Sequence, residues 1–310
     1  MDRRYRQPAT TLRVAGPIRD APPELYFGIS AVFHYLGPSF AVLLFARVEV
    51  LGVAWMRIAS AAIIFAAWRR PWRTLAALDP GGRRLLIAWG VVLAVMNACF
   101  YTAISRLPLS TVAAIEFLPV IALAALGARS RRNLVALVLA VGGVYVLTDV
   151  HLVAEPIGVV FAFANAVLFA LYIVLADRVA KRPRLSGIDG LACAMLIALV
   201  VITPIGGWQA APALLQPTAL LAGIGVGISS SVVPYVTDQL ALARLARATY
   251  ALMVALLPAL ATVIGIVVLA QIPSWTEVAG VALVIAGVAL HRRPAQPANQ
   301  HASMLEALPA

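Results

Sequence analysis

The 310-residue sequence predicts an all-α integral membrane protein of ten transmembrane helices, arranged as two inverted five-helix repeats. Three observations lead there. Hydrophobic residues make up 62% of the chain and charged residues only 12%, against about a quarter charged in a water-soluble domain. Apolar runs of spanning length follow one another with short polar connections. The two halves of the chain also echo each other.

A spanning helix needs about 20 apolar residues. The first run, 25–45, follows a polar, Arg-rich and Pro-rich tail, and the second, 50–68, stops at Arg69 and Arg70. The third, 85–105, lies between Arg84 and Arg106, and the fourth, 109–128, ends before Arg129. The fifth, 133–149, follows Arg131 and Arg132, and the sixth, 156–176, ends before Arg178. The seventh, 188–208, closes on Trp208, and the eighth, 218–242, ends before Arg244. The ninth, 248–270, follows Arg247, and the tenth, 274–290, ends before Arg292. Runs this long are helices, because an open strand would leave backbone groups without partners in hydrocarbon.

Charge orients them. With the N-terminus inside, 21 of the 24 Lys and Arg residues fall in cytoplasmic segments; Arg47 and Arg106 fall outside and Arg57 lies within a span. Cations concentrate on the cytoplasmic side of membrane proteins. Both termini are therefore expected in the cytoplasm, with disordered tails at 1–24 and 291–310. All six tryptophans, Trp55, Trp68, Trp72, Trp89, Trp208 and Trp275, fall near span ends, where indole favours the interface. The net charge of +11 then points to anionic lipid headgroups and not to nucleic acid. The first apolar run is long enough to span, which argues against a cleavable signal peptide. Cys99 and Cys193 lie inside apolar spans and read as small buried hydrophobes, not as a disulfide or a metal site.

The duplication shows in paired segments. RLPLSTVAAIEFLP at 106–119 matches RLARATYALMVALLP at 244–258, and each precedes a small-residue helix, VLAVGGVYVL and ALVIAGVAL. The expected repeats cover 25–149 and 156–290. Five is odd, so the second repeat enters the membrane from the opposite side. Inverted repeats place a substrate site near the midplane between them.

The order and spacing of WMRIASAAIIFAAWRRPWR at 55–73, MNACFYTAISRLPL at 96–109, AIEF at 114–117 and VPYVTDQLALARL at 233–245 carry a resemblance. Across 25–290 the chain resembles the EamA-type transporters of the drug/metabolite transporter (DMT) superfamily, and among them the threonine/homoserine exporters. The resemblance implies an EamA/DMT-like fold in a bacterial inner membrane. It also implies outward movement of small polar metabolites such as amino acids, in exchange for protons or another solute, without a cofactor. The chain departs from the exporter pattern at Leu257, at Ala270-Gln271, at Asp238 and in the Glu116-to-Pro119 spacing.

A charge inside the membrane costs about 2.5–3.5 kcal/mol on insertion scales. Arg57 and Glu116 each lie seven residues from the outer end of their spans, about 10 Å down at 1.5 Å per residue. Asn97 and Asn165 fall about 12 and 14 Å down, and His34 lies nearer the midplane. The sharp expectation is a zwitterion site, with Arg57 taking a carboxylate and Glu116 an ammonium group or a proton. The plain alternative is that the two charges neutralise each other. His34 reads as a proton relay or a packing histidine. Asn97 and Asn165 bind substrate or bridge helices. Tyr101 and Tyr235, at matched places in the halves, line the cavity or anchor at the interface. Pro119 and Pro258 bend equivalent spans. Asp238 suits a structural or gating role beside Arg244 and Arg247. The glycines and serines of 223–231 suit close packing or cavity lining.

A membrane enzyme acting on a lipid-linked substrate is the rival class, with an importer of the same fold as a third reading. No H-E-x-x-H, G-x-S-x-G or phosphate-loop pattern supports an enzyme. The sequence reading therefore expects a transporter, not an enzyme, with a small-molecule substrate, protons and membrane lipids as partners.

Overall fold

The structure, a computed structural model, describes residues 22–127, 130–152, 155–182, 185–242 and 257–290. The expected tails lie outside these residues, apart from the few at which the first helix starts, as do residues 248–256 of the expected ninth span.

All regular structure among the described residues is helical. The helices are α1 (Pro23–Leu44), α2 (Val50–Arg69), α3 (Pro71–Ala77), α4 (Pro80–Ile104), α5 (Leu109–Gly127), α6 (Arg131–Leu152) and α7 (Pro156–Ala180). They continue with α8 (Gly187–Ile202), α9 (Trp208–Leu214), α10 (Pro217–Gly227), α11 (Val233–Leu242), α12 (Leu257–Leu269) and α13 (Trp275–Leu290). Two π-helical turns, Thr203–Gly207 and Ile228–Val232, join α8 to α9 and α10 to α11. Among the described residues six stretches are long and apolar enough to cross a membrane: Glu24–Leu44, Val50–Arg69, Pro80–Ile104, Pro156–Ala180, Gly187–Leu214 and Pro217–Thr237.

Local chemistry sets the boundaries. Proline opens α1, α3, α4, α7 and α10, where its missing N–H costs no helical bond. Arg70 ends α2 in the left-handed conformation, with φ at 50°, and the chain turns at once into α3. The sequence reading left 69–84 as a plain connection, so α3 is a difference. Its carbonyls at Leu75 and Ala76 accept from the Arg83 guanidinium at 2.9 Å each. Ser186 opens α8 as an N-cap whose hydroxyl accepts from Asp189 N–H at 3.1 Å.

Packing follows a paired pattern. α4 lies against α7 and α8; the joined α10–α11 helix lies against α1, and its α10 part against α2. α5 contacts α6, α7 and α12, while α12 contacts α13, α1 and α5. Exchanging each helix for its expected counterpart in the sequence repeat leaves these pairings unchanged. α6 runs along α13, and glycine makes that approach possible. A Cβ on Gly143 would stand 2.6 Å from the Gly280 carbonyl oxygen, and one on Gly287 2.7 Å from that of Ala136. Small residues let membrane helices pack backbone to backbone in this way.

The two ends of the bundle differ. At the end carrying Arg69–Arg84 and 177–189, ion pairs join the halves: Arg69 to Asp189 and Arg182 to Asp79, both at 2.7 Å. At the other end lie two openings. One cavity of about 330 Å³ is lined by Phe45, Glu49, Thr102, Arg106 and Gln209, among others. A groove of about 490 Å³ separates α1 from α10, between Phe40, Leu43 and Arg47 on one wall and Ala222, Gly225 and Ser229 on the other.

Candidate functional site

The buried polar layer draws its side chains from α1, α2, α4, α5 and α7 and from the π turn at 228–232. α2 carries Arg57 into this layer. Its Nε donates to the Ser231 hydroxyl at 3.0 Å, and a terminal nitrogen donates to the Ser230 carbonyl at 3.1 Å. The guanidinium carbon stands 5.5 Å from the centre of the Tyr101 ring on α4, a cation–π distance. The Tyr101 hydroxyl lies beside Arg57 and Ser230.

The local fold makes that cradle possible. A π turn carries its hydrogen bonds one residue further along than an α-helix, and here the Ser230 carbonyl takes a hydrogen bond from Arg57. Close packing holds α2 against it. A Cβ on Gly227 would collide with the Ser60 hydroxyl and stand 2.8 Å from the Arg57 carbonyl oxygen. A Cβ on Gly223 would overlap Met56. Gly37 on α1 abuts Ser230 just as tightly, while Gly225 has nothing within 4 Å. Of the two readings for the 223–231 stretch, close packing describes Gly223 and Gly227, and Gly225 faces the open groove.

The acidic member sits across the same layer. Glu116 on α5 is 7% exposed, and its Oε1 accepts from the Asn165 side-chain amide on α7 at 3.4 Å. Arg57 acts on Glu116 electrostatically, yet they form no ion pair among the described residues. The plain alternative of direct neutralisation does not describe this geometry. The first half supplies both charges, and a residue of the second half binds each of them. Among the described residues no group of His, Cys, Asp and Glu could hold a metal ion.

The remaining expected residues divide. His34 lies within electrostatic range of Arg57 and its ring meets that of Tyr35 edge-on, centres 5.2 Å apart. Asn97 is buried, but its amide donates to the Leu93 carbonyl of its own helix at 2.8 Å; its donor faces its own backbone. Tyr235 on α11 is half-buried against the core, one residue from the Pro234 carbonyl that accepts from Ser30. Pro119 lies inside α5. Pro258 is the second described residue of α12 and its carbonyl accepts from Thr262 at 2.9 Å; the preceding turn is outside the described residues. Asp238 lies on α11, while its side chain and the partners Arg244 and Arg247 fall outside them. Sequence reasoning missed Tyr35, a wholly buried tyrosine within electrostatic range of Glu116. Only its place beside His34 hinted at it.

The cavity of about 330 Å³ is linked to this layer through aromatic side chains. Phe45 lines it, and the Phe45 ring stands edge-on to Tyr101, centres 6.0 Å apart. Tyr101 in turn covers Arg57.

Comparison with known proteins agrees with this architecture. The model of the EamA-like transporter family matches residues 156–292. The threonine/homoserine exporter RhtA of Escherichia coli (strain K12) is 34% identical over 239 residues, covering 76% of this chain and 79% of that protein. The exporter of the same name from Salmonella typhimurium is 30% identical over 253 residues, covering 81% and 84%. A solved crystal structure with 18% identity shares the fold, with a TM-score of 0.55 over 91% of this chain and 98% of that one. With likeness running through most of its length and through both halves, the chain belongs to the EamA-like transporter family and is a multi-pass membrane transporter, not an enzyme.

Proposed function

We propose that this chain exports small amino acids, threonine or homoserine among them, across the bacterial inner membrane with both termini in the cytoplasm. Two inverted five-helix halves alternate access to a zwitterion site, and protons move in exchange. One observation carries the reading: Glu116 is buried and Arg57 half-buried, the two do not pair with each other, and each is bound by the opposite half. A solute carrying both a carboxylate and an ammonium group matches the two charges, since a guanidinium fork suits a carboxylate and a buried carboxylate needs a cation or a proton. The pairing of helices that survives exchange of the halves supports the inverted-repeat reading, as does the cation count at the span ends. The likeness to threonine/homoserine exporters supports the substrate class.

Competition between a proton and the ammonium group for Glu116 gives exchange without any further device. The test is flux in liposomes holding the purified protein. Labelled threonine or homoserine moves in response to an imposed pH gradient, and Glu116→Gln abolishes that response while leaving the protein folded. Flux that follows the gradient unchanged in Glu116→Gln removes proton exchange at this residue. Absence of amino-acid movement in the native protein removes the substrate assignment.

A further inference from the structure

We infer that the Tyr35 hydroxyl and the Asn165 side-chain carbonyl join the Glu116 carboxylate to form a three-acceptor cradle for a primary ammonium group. The inference rests on the zwitterion reading and adds to it which amines the site accepts.

Two orphaned atoms carry the argument. The Tyr35 side chain is wholly buried, and its hydroxyl has no hydrogen-bond partner among the described residues. It lies within electrostatic range of Glu116. Asn165 is 1% exposed and donates from its nitrogen to Glu116 at 3.4 Å. That bond fixes the orientation of the amide, because only the nitrogen can donate to a carboxylate. The amide oxygen is left as an acceptor, and it too has no partner among the described residues. Buried polar atoms are nearly always bonded in a folded protein, and an exception calls for a physical reason. One exception belongs to the residue that binds Glu116, and the other comes from α1 within electrostatic range of the same carboxylate.

The donor count fits. A primary ammonium group has three N–H bonds, as on lysine. Glu116, Asn165 and Tyr35 offer one acceptor each in a low-dielectric setting. The Tyr35 ring is held edge-on by His34 at 5.2 Å, and Gly37 seats α1 tightly against Ser230. The hydroxyl is therefore placed by rigid packing and does not need to be recruited. A trimethylated amine brings no N–H and leaves all three acceptors unpaired; a 2-hydroxy acid brings one donor and no positive charge. A site built to hydrogen-bond a group rejects analogues that lack it. The cradle thus selects primary amino acids over betaines and 2-hydroxy acids.

The experiment uses the full chain in liposomes, loaded for exchange of labelled homoserine. Tyr35→Phe removes one oxygen and preserves the ring. It is expected to raise the half-saturating homoserine concentration about tenfold, the scale of one hydrogen bond to a charged group. Inhibition by 2,4-dihydroxybutyrate, which has no ammonium group, stays unchanged. Asn165→Leu is expected to act the same way, and if that variant does not fold, Tyr35→Phe decides alone. Unchanged homoserine affinity in Tyr35→Phe, or equal weakening of both solutes, overturns the cradle while leaving amino-acid export standing. A native protein that moves no homoserine overturns both.

Discussion

Ala270 offers a stability test with a defined sign. It follows α12 with φ at 53°, the left-handed region. Its N–H donates to the Ile266 carbonyl at 3.1 Å, and the Gln271 N–H reaches back to Gly265 at 3.0 Å. This paired closure of a helix end usually carries glycine. A residue with a Cβ gives up about 1–2 kcal/mol in this conformation. Glycine returns about 0.4–1 kcal/mol of that through its greater freedom in the unfolded chain. The Ala270 side chain is exposed, so its removal forfeits little packing. The net expectation for Ala270→Gly is a gain of about 0.5–1 kcal/mol. Unfolding by sodium dodecyl sulfate in mixed micelles reads this as a midpoint moved to higher detergent fraction. A midpoint that stays put or falls would refute the conformational argument and assign the methyl group a packing role.

Other outcomes follow from the same geometry. Gly227→Ala forces a methyl into the Ser60 hydroxyl and the Arg57 carbonyl; overpacking of this kind costs about 1–3 kcal/mol, and the loss appears in the same unfolding assay. Gly225→Ala, which meets nothing within 4 Å, serves as its control and gains about 0.4–1 kcal/mol from the lower freedom of the unfolded chain. Asp189→Asn weakens the partly buried contact with Arg69 and the charge at the start of α8, lowering stability by about 1 kcal/mol. That loss shrinks when Arg69→Gln is already present, as a double-mutant cycle would read. In liposomes Glu116→Gln and Tyr35→Phe separate: the first abolishes the pH response, and the second weakens binding of primary amines alone.

Helix positions were legible because their signals are local. Proline at the first turn and arginine at alternate span ends mark boundaries that the structure moves by only a few residues for α1, α2 and α13. The layer itself was legible from charge, since Arg57 and Glu116 stand out in an apolar run. What joined them was not. Ser231 is 174 residues from Arg57, and no local pattern ties the two. The π turns escaped because one extra residue per turn leaves composition unchanged. α3 escaped because seven residues are too few for a periodic signal. Tyr35 escaped because a tyrosine in an apolar helix reads as packing; only the lack of a hydrogen-bond partner for its hydroxyl among the described residues distinguishes it. The glycines at 223, 225 and 227 read alike in sequence, and only the position of α2 separates the two that pack from the one that does not.

One contact in the layer escapes the usual tools. Arg57 leans on the main-chain oxygen of residue 230, not on its side chain. Swapping the serine for alanine leaves that oxygen where it is. A systematic alanine survey would therefore score position 230 as dispensable while passing over the atom that steadies the cation. Removing it calls for a change of backbone: an ester in place of the amide, or a one-residue deletion that restores the ordinary helical repeat at 228–232.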